Sequence, residues 1–214
     1  MSFNYNAFKN SSGYYEFDGS SDYMALSDNE NLDFDGEITI SVWFKSHRND
    51  SHIGTLIGKG GEWNRTGFLL YQRYNYVRVF LGSGGDQRYV DATGVQHNAW
   101  NHVLATWRDN NIYVYINGQL SATSSTWYNG HYQNDYPLHI GGWANGNNYV
   151  LDGEISQARV YNTAMTDEEA QSFYNGSVRS IERLISFQWS REVSPNVFED
   201  ISGASDQRFT VRNS

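Results

Sequence analysis

Hydrophobic and polar residues alternate with a period of two along most of the chain. From Ile38 to Phe44 the run Ile-Thr-Ile-Ser-Val-Trp-Phe puts Ile38, Ile40, Val42 and Phe44 on one side and Thr39, Ser41 and Trp43 on the other, as in a strand with one buried face. Trp43, on the otherwise polar side, predicts a second apolar layer there. The stretches Phe68–Gln72, Val77–Leu81, Tyr89–Ala92, Trp100–Trp107, Ile112–Ile116 and Leu138–Ile140 repeat the pattern, each bounded by Gly, Asn, Asp or Ser. Short strands at this spacing predict an all-β sandwich or barrel rather than alternating strands and helices.

The turn residues agree. Asp109-Asn110-Asn111 separates two strands, and Asn117-Gly118 is a strong two-residue hairpin signal because both residues tolerate positive φ. One short helix is predicted near residues 166–175. Thr166 and Glu169 form a capping box at its start, Gly176 can close it, and Phe173 and Tyr174 would pin it to a sheet. Beyond Gly176 alternation returns at Leu184–Trp189 and Phe209–Val211. Residues 1–214 are therefore read as a single domain, with 177–214 an extension that adds strands or begins a following module.

Composition narrows the function. The 214 residues carry 15 Lys plus Arg against 24 Asp plus Glu, a formal charge of −9. Nucleic-acid recognition needs a cationic footprint, so no nucleic-acid partner is expected. Only Lys9, Lys45 and Lys59 are lysines, which leaves no basic patch for anionic lipid. No apolar run is long enough to span a bilayer, so membrane insertion is not expected. With no cysteine, disulfide frameworks, thiolate catalysis and cysteine-ligated zinc are excluded. The amino-terminal residues do not read as a secretory leader. An extracellular or virion-associated location, the expectation for such a sandwich, would then rest on a removed leader, a nonclassical route or virion release.

Five segments carry a family likeness. Tyr15-Glu16-Phe17-Asp18-Gly19-Ser20-Ser21-Asp22-Tyr23, Ile38–Phe44, Trp100-Asn101-His102-Val103, Tyr113-Val114-Tyr115-Ile116-Asn117-Gly118, and Gly153-Glu154-Ile155 through Val160-Tyr161-Asn162 resemble in order and spacing the laminin G-like and pentraxin-like branch of the concanavalin A-like jelly rolls. The resemblance implies a two-sheet antiparallel jelly-roll sandwich. It also implies ligand sites in loops or on the concave sheet, often with calcium. The tail departs from the pattern: Leu184 to Gly203, with Trp189, looks more like a strand that opens such a domain.

Candidate chemistry falls into three groups. Glu16 with Asp18, and Asp33 with Asp35, have the i, i+2 spacing that places two carboxylates on one strand face, as glycoside hydrolysis requires; the related hydrolases place a further Glu where Ser20 and Ser21 stand. Strand parity brings residues 47–54, 74–76, 93–99, 117–118 and 143–150 to one end of the sandwich. There Asn49, Asp50, Asn145 and Asn147 offer oxygen ligands for calcium, matching the loops that the pentraxin-like resemblance implies; the same asparagines also serve simply as turn formers. Trp143 and Tyr149, with Asn148 and His52, offer apolar faces and amides that suit a sugar, and Trp63 and Trp127 form a second aromatic rim at the other end. Trp43, Trp100, Trp107 and Trp189 lie in strand patterns and are read as packing residues.

The function expected is a noncatalytic, lectin-like carbohydrate-binding or adhesion module for a glycan or other extracellular surface ligand, with calcium as its candidate cofactor. The alternative is a structural or assembly protein, as on a virion, that meets protein partners through the jelly roll.

Overall fold

The computed structural model describes residues 2–4, 13–28, 32–33, 36–61, 65–83, 87–125, 133–143, 149–181, 190–194, 197–200 and 211–212. Two sheets form the body. The first has seven strands in the order β1 (Ser2–Asn4), β3 (Tyr23–Leu26), β12 (Leu138–Ile140), β5 (Gly54–Gly61), β6 (Thr66–Arg73), β7 (Tyr76–Ser83) and β8 (Gln87–Thr93), all antiparallel. The second runs β11 (Gln119–Ser125), β10 (Asn111–Ile116), β9 (Asn101–Arg108), β4 (Ile38–Ser46) and β13 (Asp152–Tyr161), whose far edge pairs antiparallel with β2 (Tyr15–Asp18) and parallel with β16 (Val211–Arg212). A further hairpin joins β14 (Ser190–Ser194) and β15 (Val197–Asp200). The strand-rich sandwich predicted by the alternation, of the jelly-roll kind that the family resemblance implies, is the observed fold.

The core lies between the sheets and is built from the predicted inward positions. Ile38, Ile40, Val42 and Phe44 of β4 meet Phe68 and Leu70 of β6, Val77, Val79 and Leu81 of β7, and Val103, Ala105 and Trp107 of β9. The hairpin turns follow the expected chemistry. Asp109 and Asn110 have φ of 49° and 57°, and Asn117 and Gly118 have 51° and 76°, so both two-residue loops use the left-handed region that Asn, Asp and Gly reach cheaply.

The helix α1 (Asp167–Ile181) differs from its predicted extent. Its start is as expected: Thr166 N donates to Glu169 Oε2 at 2.8 Å and Glu169 N to Thr166 Oγ1 at 3.2 Å. Its end is not. Gly176 keeps a helical φ and the helix continues to Ile181, because one internal glycine costs only ~1 kcal/mol and propagation adds a bond per residue.

The second apolar layer predicted by Trp43 is this helix. The Trp43 ring stacks on Tyr174 at 5.7 Å and an interplanar angle of 17°, and His102 lies against both Phe173 and Tyr174. Leu104, Tyr115, Tyr161, Met165 and Ala170 complete the layer. Arg108 and Tyr115 both bond Asp167 in the first turn of α1, where a carboxylate also suits the helix dipole. Helix α1 therefore covers much of the outer face of the second sheet. Gly118 fits beneath the Tyr174 ring, 2.5 Å from where its Cβ would be, so Gly118→Val is expected to destabilise the domain by about 2–3 kcal/mol, measurable by urea unfolding.

Candidate functional site

The outer face of the first sheet, the one that holds β5 to β8, carries a strip of tyrosines around one arginine. Phe68, Leu70, Val77, Val79, Leu81, Val90 and Ala92 point into the core, so by strand alternation Leu69, Tyr71, Arg73, Tyr76, Arg78, Phe80, Tyr89 and Asp91 point outward. Register aligns them in rows: Tyr71, Arg78 and Asp91 are direct cross-strand neighbours, as are Leu69, Phe80 and Tyr89, and as are Arg73, Tyr76 and Thr93. Arg78 Nε donates to Asp91 Oδ1 at 2.6 Å and Nη2 to Oδ2 at 2.8 Å, a fork on a carboxylate. The bond to Asp91 raises the guanidinium's pKa above the ordinary arginine value against the opposing effect of burial.

Around that ion pair the rings converge. The Arg78 guanidinium carbon lies 4.5 Å from the Tyr89 ring centroid, 5.8 Å from Tyr71 and 5.9 Å from Tyr76. Tyr74 follows at the β6–β7 turn, its ring 6.4 Å from Tyr76. The floor of the strip is buried, with Leu69, Tyr71 and Phe80 forming a small cluster. Its rim is open: Tyr89 is 55% exposed and Tyr74 is 45% exposed. Tyr74 also sits at φ 50°, a strained setting for a bulky residue that recurs where surfaces are functional. Its N–H donates to Asp50 O at 3.0 Å, which ties the turn to the 47–54 loop.

The sequence-predicted residues are placed around this strip and at its end. Trp143 is half-buried against the Leu69, Tyr71 and Phe80 cluster, and its ring lies over Gly61, where any side chain would collide with it. Tyr149, also left-handed at φ 69°, accepts a bond from Thr55 N at 3.0 Å. His52 Nε2 meets Val150 O at 2.6 Å. Loops 47–54, 74–76 and 93–99 and the described residues 149–150 gather at one end: Asn98 N donates to Ser46 O at 2.9 Å, Val95 N to Asn75 O at 3.1 Å and Thr55 N to Tyr149 O at 3.0 Å. Asn145, Asn147, Asn148, Trp63 and Trp127 lie outside the described residues.

Of the four residues expected to offer oxygens to calcium, Asn49 and Asp50 lie among the described residues. Asn49 is exposed, and the Asp50 carboxylate is held by Arg48 Nη2 at 2.7 Å and by the His52 N–H at 2.8 Å, contacts that lower its pKa. No group of three or more His, Asp or Glu side chains able to hold a metal occurs among the described residues.

The carboxylate pairs are occupied as well. Asp18 accepts from the Ser20 hydroxyl at 2.5 Å and from the Ser20, Ser21 and Asp22 N–H groups at 2.8, 2.9 and 3.2 Å. Burial alone would raise its pKa, but these bonds outweigh that effect and hold the carboxyl well below the usual range, unsuited to a general acid at neutral pH. Asp33 is paired with Lys59 at 2.9 Å, and Asp35 lies outside the described residues. Trp100 departs from its packing role. It precedes β9, is half-buried and meets Tyr14 edge-on at 5.6 Å beneath the Lys45 ammonium, on the side of the second sheet that α1 leaves open.

A jelly roll with one outer face padded by a helix and the other bearing exposed rings around a charged fork has the build of the lectin-like class. The model of the concanavalin A-like lectin/glucanases superfamily matches residues 18–171, and the chain belongs to that family. Among solved structures, the carbohydrate-binding module (CBM40) of the Ruminococcus gnavus IT-sialidase bound to α2,3-sialyllactose aligns at 20% identity and a TM-score of 0.64, covering 75% of this chain and 96% of that one. The binding domain of botulinum neurotoxin serotype D aligns at 17% identity and a TM-score of 0.67, covering 83% of this chain and 46% of that one. The binding domain of botulinum neurotoxin DC in complex with rat synaptotagmin II aligns at 17% identity and a TM-score of 0.57, covering 72% and 40%. The chain thus spans less than half of the toxin binding domains it resembles. No curated protein sequence matches it. Among the described residues no helix is long and apolar enough to cross a membrane.

Proposed function

We propose that the chain is a noncatalytic glycan-binding module acting outside the cell, with its ligand seated on the outer face of the β5–β8 sheet. The observation that carries this reading is the ring of Tyr71, Tyr76 and Tyr89 around the Arg78–Asp91 fork. The exposed ring of Tyr89 gives a sugar an apolar face to stack on, while the fork and the phenol hydroxyls supply donors and acceptors at its edge. The R. gnavus module, of the same fold, was solved with a sialylated sugar bound, which supports a glycan as the ligand class.

The test is a glycan array of the wild type beside Tyr89→Ala. At least one glycan is expected to be retained, and the variant is expected to lose about 1–2 kcal/mol of binding, roughly five- to thirtyfold, with an unchanged melting temperature. Binding that survives in Tyr89→Ala would contradict the assignment of the face. Tyrosine and arginine are also the residues of protein hot spots. Capture of a receptor polypeptide by the same face, with no glycan retained, would turn the reading toward adhesion or assembly through protein contacts.

Calcium has no place in this reading, since Asp50 is committed to Arg48. Adding millimolar calcium or a chelator is expected to move the melting temperature by less than about 1 °C, because an ion that binds only the folded state must stabilise it. A shift of several degrees would restore the loop asparagines as ligands.

A further inference from the structure

We infer that the ligand of this face carries a carboxylate and that Arg73 is the residue that reads it, an inference that rests on the glycan-binding reading above. Among the described residues, four arginine guanidiniums already have oxygen acceptors. Arg48 is held by Asp50, Arg78 by Asp91, Arg108 by Asp167 and the Met165 carbonyl, and Arg88 by the Gln87 carbonyl. Arg73 is different. Among the described residues its buried Nε meets no hydrogen-bond acceptor, and its guanidinium carbon rests 5.4 Å from the Tyr74 ring centroid.

Its position puts that unpaired cation at the open end of the strip. Arg73 stands opposite Tyr76 and one row from Arg78, on the same outer face. Its cross-strand neighbours Tyr76 and Thr93 and the Tyr74 ring beside it are uncharged, and the Asp50 carboxylate of the adjoining loop is held by Arg48. The one carboxylate in the adjoining row, Asp91, has both oxygens engaged by Arg78. A buried N–H without an acceptor is a standing cost, and a planar two-oxygen anion is the shape that a guanidinium edge takes bidentately. A sugar ring stacked on Tyr89 or Tyr74 and bearing one carboxylate meets both halves of the surface: rings for its body and Arg73 for its charge. The net charge of −9 disfavours densely charged polyanions but leaves a single, short-range pair unaffected at physiological ionic strength.

The experiment titrates the full chain with matched oligosaccharides: acid-terminated forms (uronate or sialate), their methyl esters, and sulfate-ester counterparts. The acid is expected to bind at least tenfold tighter than its ester. In Arg73→Gln that ratio is expected to collapse toward one, and in Arg73→Lys to recover in part, with melting temperatures unchanged. Equal binding of acid and ester by the wild type, which needs no variant to fold, would overturn the inference, as would an acid preference that survives in Arg73→Gln. Tighter binding of the sulfate esters would overturn the carboxylate assignment. If acid and ester bind equally but Tyr89→Ala abolishes both, the ligand face stands and only the role of Arg73 fails. If no oligosaccharide binds, both readings fall.

Discussion

Replacing Lys59 by methionine is expected to cost about 3 kcal/mol of stability, read as a lower urea midpoint. Lys59 stands opposite Phe68 and Leu138 in the β5–β8 sheet, an inward position, and it is fully buried. Its ammonium reaches Asp28 Oδ1 and Asp33 Oδ1, each at 2.9 Å, and both the carbonyl and the side-chain oxygen of Asn134. One cation thus ties segments 28–33 and 134 to β5. Removing one partner of such a cluster strands the opposing charges, typically at about 3–5 kcal/mol. The low end applies because the two carboxylates are about a quarter to a third exposed and water screens what remains. A double variant, Lys59→Met with Asp33→Asn, is expected to recover part of the loss. A cost below about 1 kcal/mol for the single variant would show that the cluster is solvated rather than structural.

Acidification is expected to have a comparable effect through two histidines. His102 is fully buried against Trp43, Phe173 and Tyr174, with Nε2 2.8 Å from Ser41 Oγ. Burial, with Arg159 nearby, pulls its pKa down to about 3. Burial likewise pulls His139 down to about 4, against a bond with the Pro137 carbonyl. Both pKa values are depressed, so the unfolded chain takes up protons below about pH 6.5 that the folded chain refuses. The stability is therefore fully present above that pH and declines as pH falls toward 4 for His139 and 3 for His102. The slope is about 1.4 kcal/mol per pH unit for each group, or roughly 4 kcal/mol for the pair between pH 8 and pH 5. The melting temperature should fall by about 8–16 °C over that interval, and His102→Gln, which keeps a donor for Ser41, should remove roughly half of the slope. A melting temperature that is flat from pH 8 to 5 would contradict the burial of both rings.

Much of the fold was legible because it rests on local pattern. Alternation located the inward residues of β4 and the stretches that form β6, β7 and β9, and Asn117-Gly118 and Asp109-Asn110 announced their turns through backbone preference alone. The capping box at Thr166 fixed the start of α1, whereas its end was misplaced because glycine at 176 weakens a helix without stopping it. Trp43 signalled the helix layer by being apolar on a polar face.

The candidate site was only half legible, for a physical reason. Trp143, Tyr149 and His52 stood out as aromatic or polar residues in loops. The tyrosine strip did not, since Tyr71, Tyr76, Arg78, Tyr89 and Asp91 read as the ordinary polar side of three strands. They become a surface only when register sets Tyr71, Arg78 and Asp91 side by side. The two-residue turn at Tyr74-Asn75 holds that register, and pairing the strands outward from it would have found the row. The pairing of Asp50 with Arg48, two residues away, was not legible because it depends on the bend of the loop. Trp100 passed as a core residue because its strand begins one position later, at Asn101.

The most direct test of the ligand face is an NMR titration of the assigned chain with a glycan retained on the array. Shifts are predicted to cluster on Tyr71 to Tyr76, Arg78 and Tyr89 to Asp91, leaving Tyr14, Trp100 and the helix α1 unmoved. A cluster of shifts around Tyr14, Trp100 and Lys45, with the β6–β8 face silent, would contradict the account and move the binding surface to the other sheet.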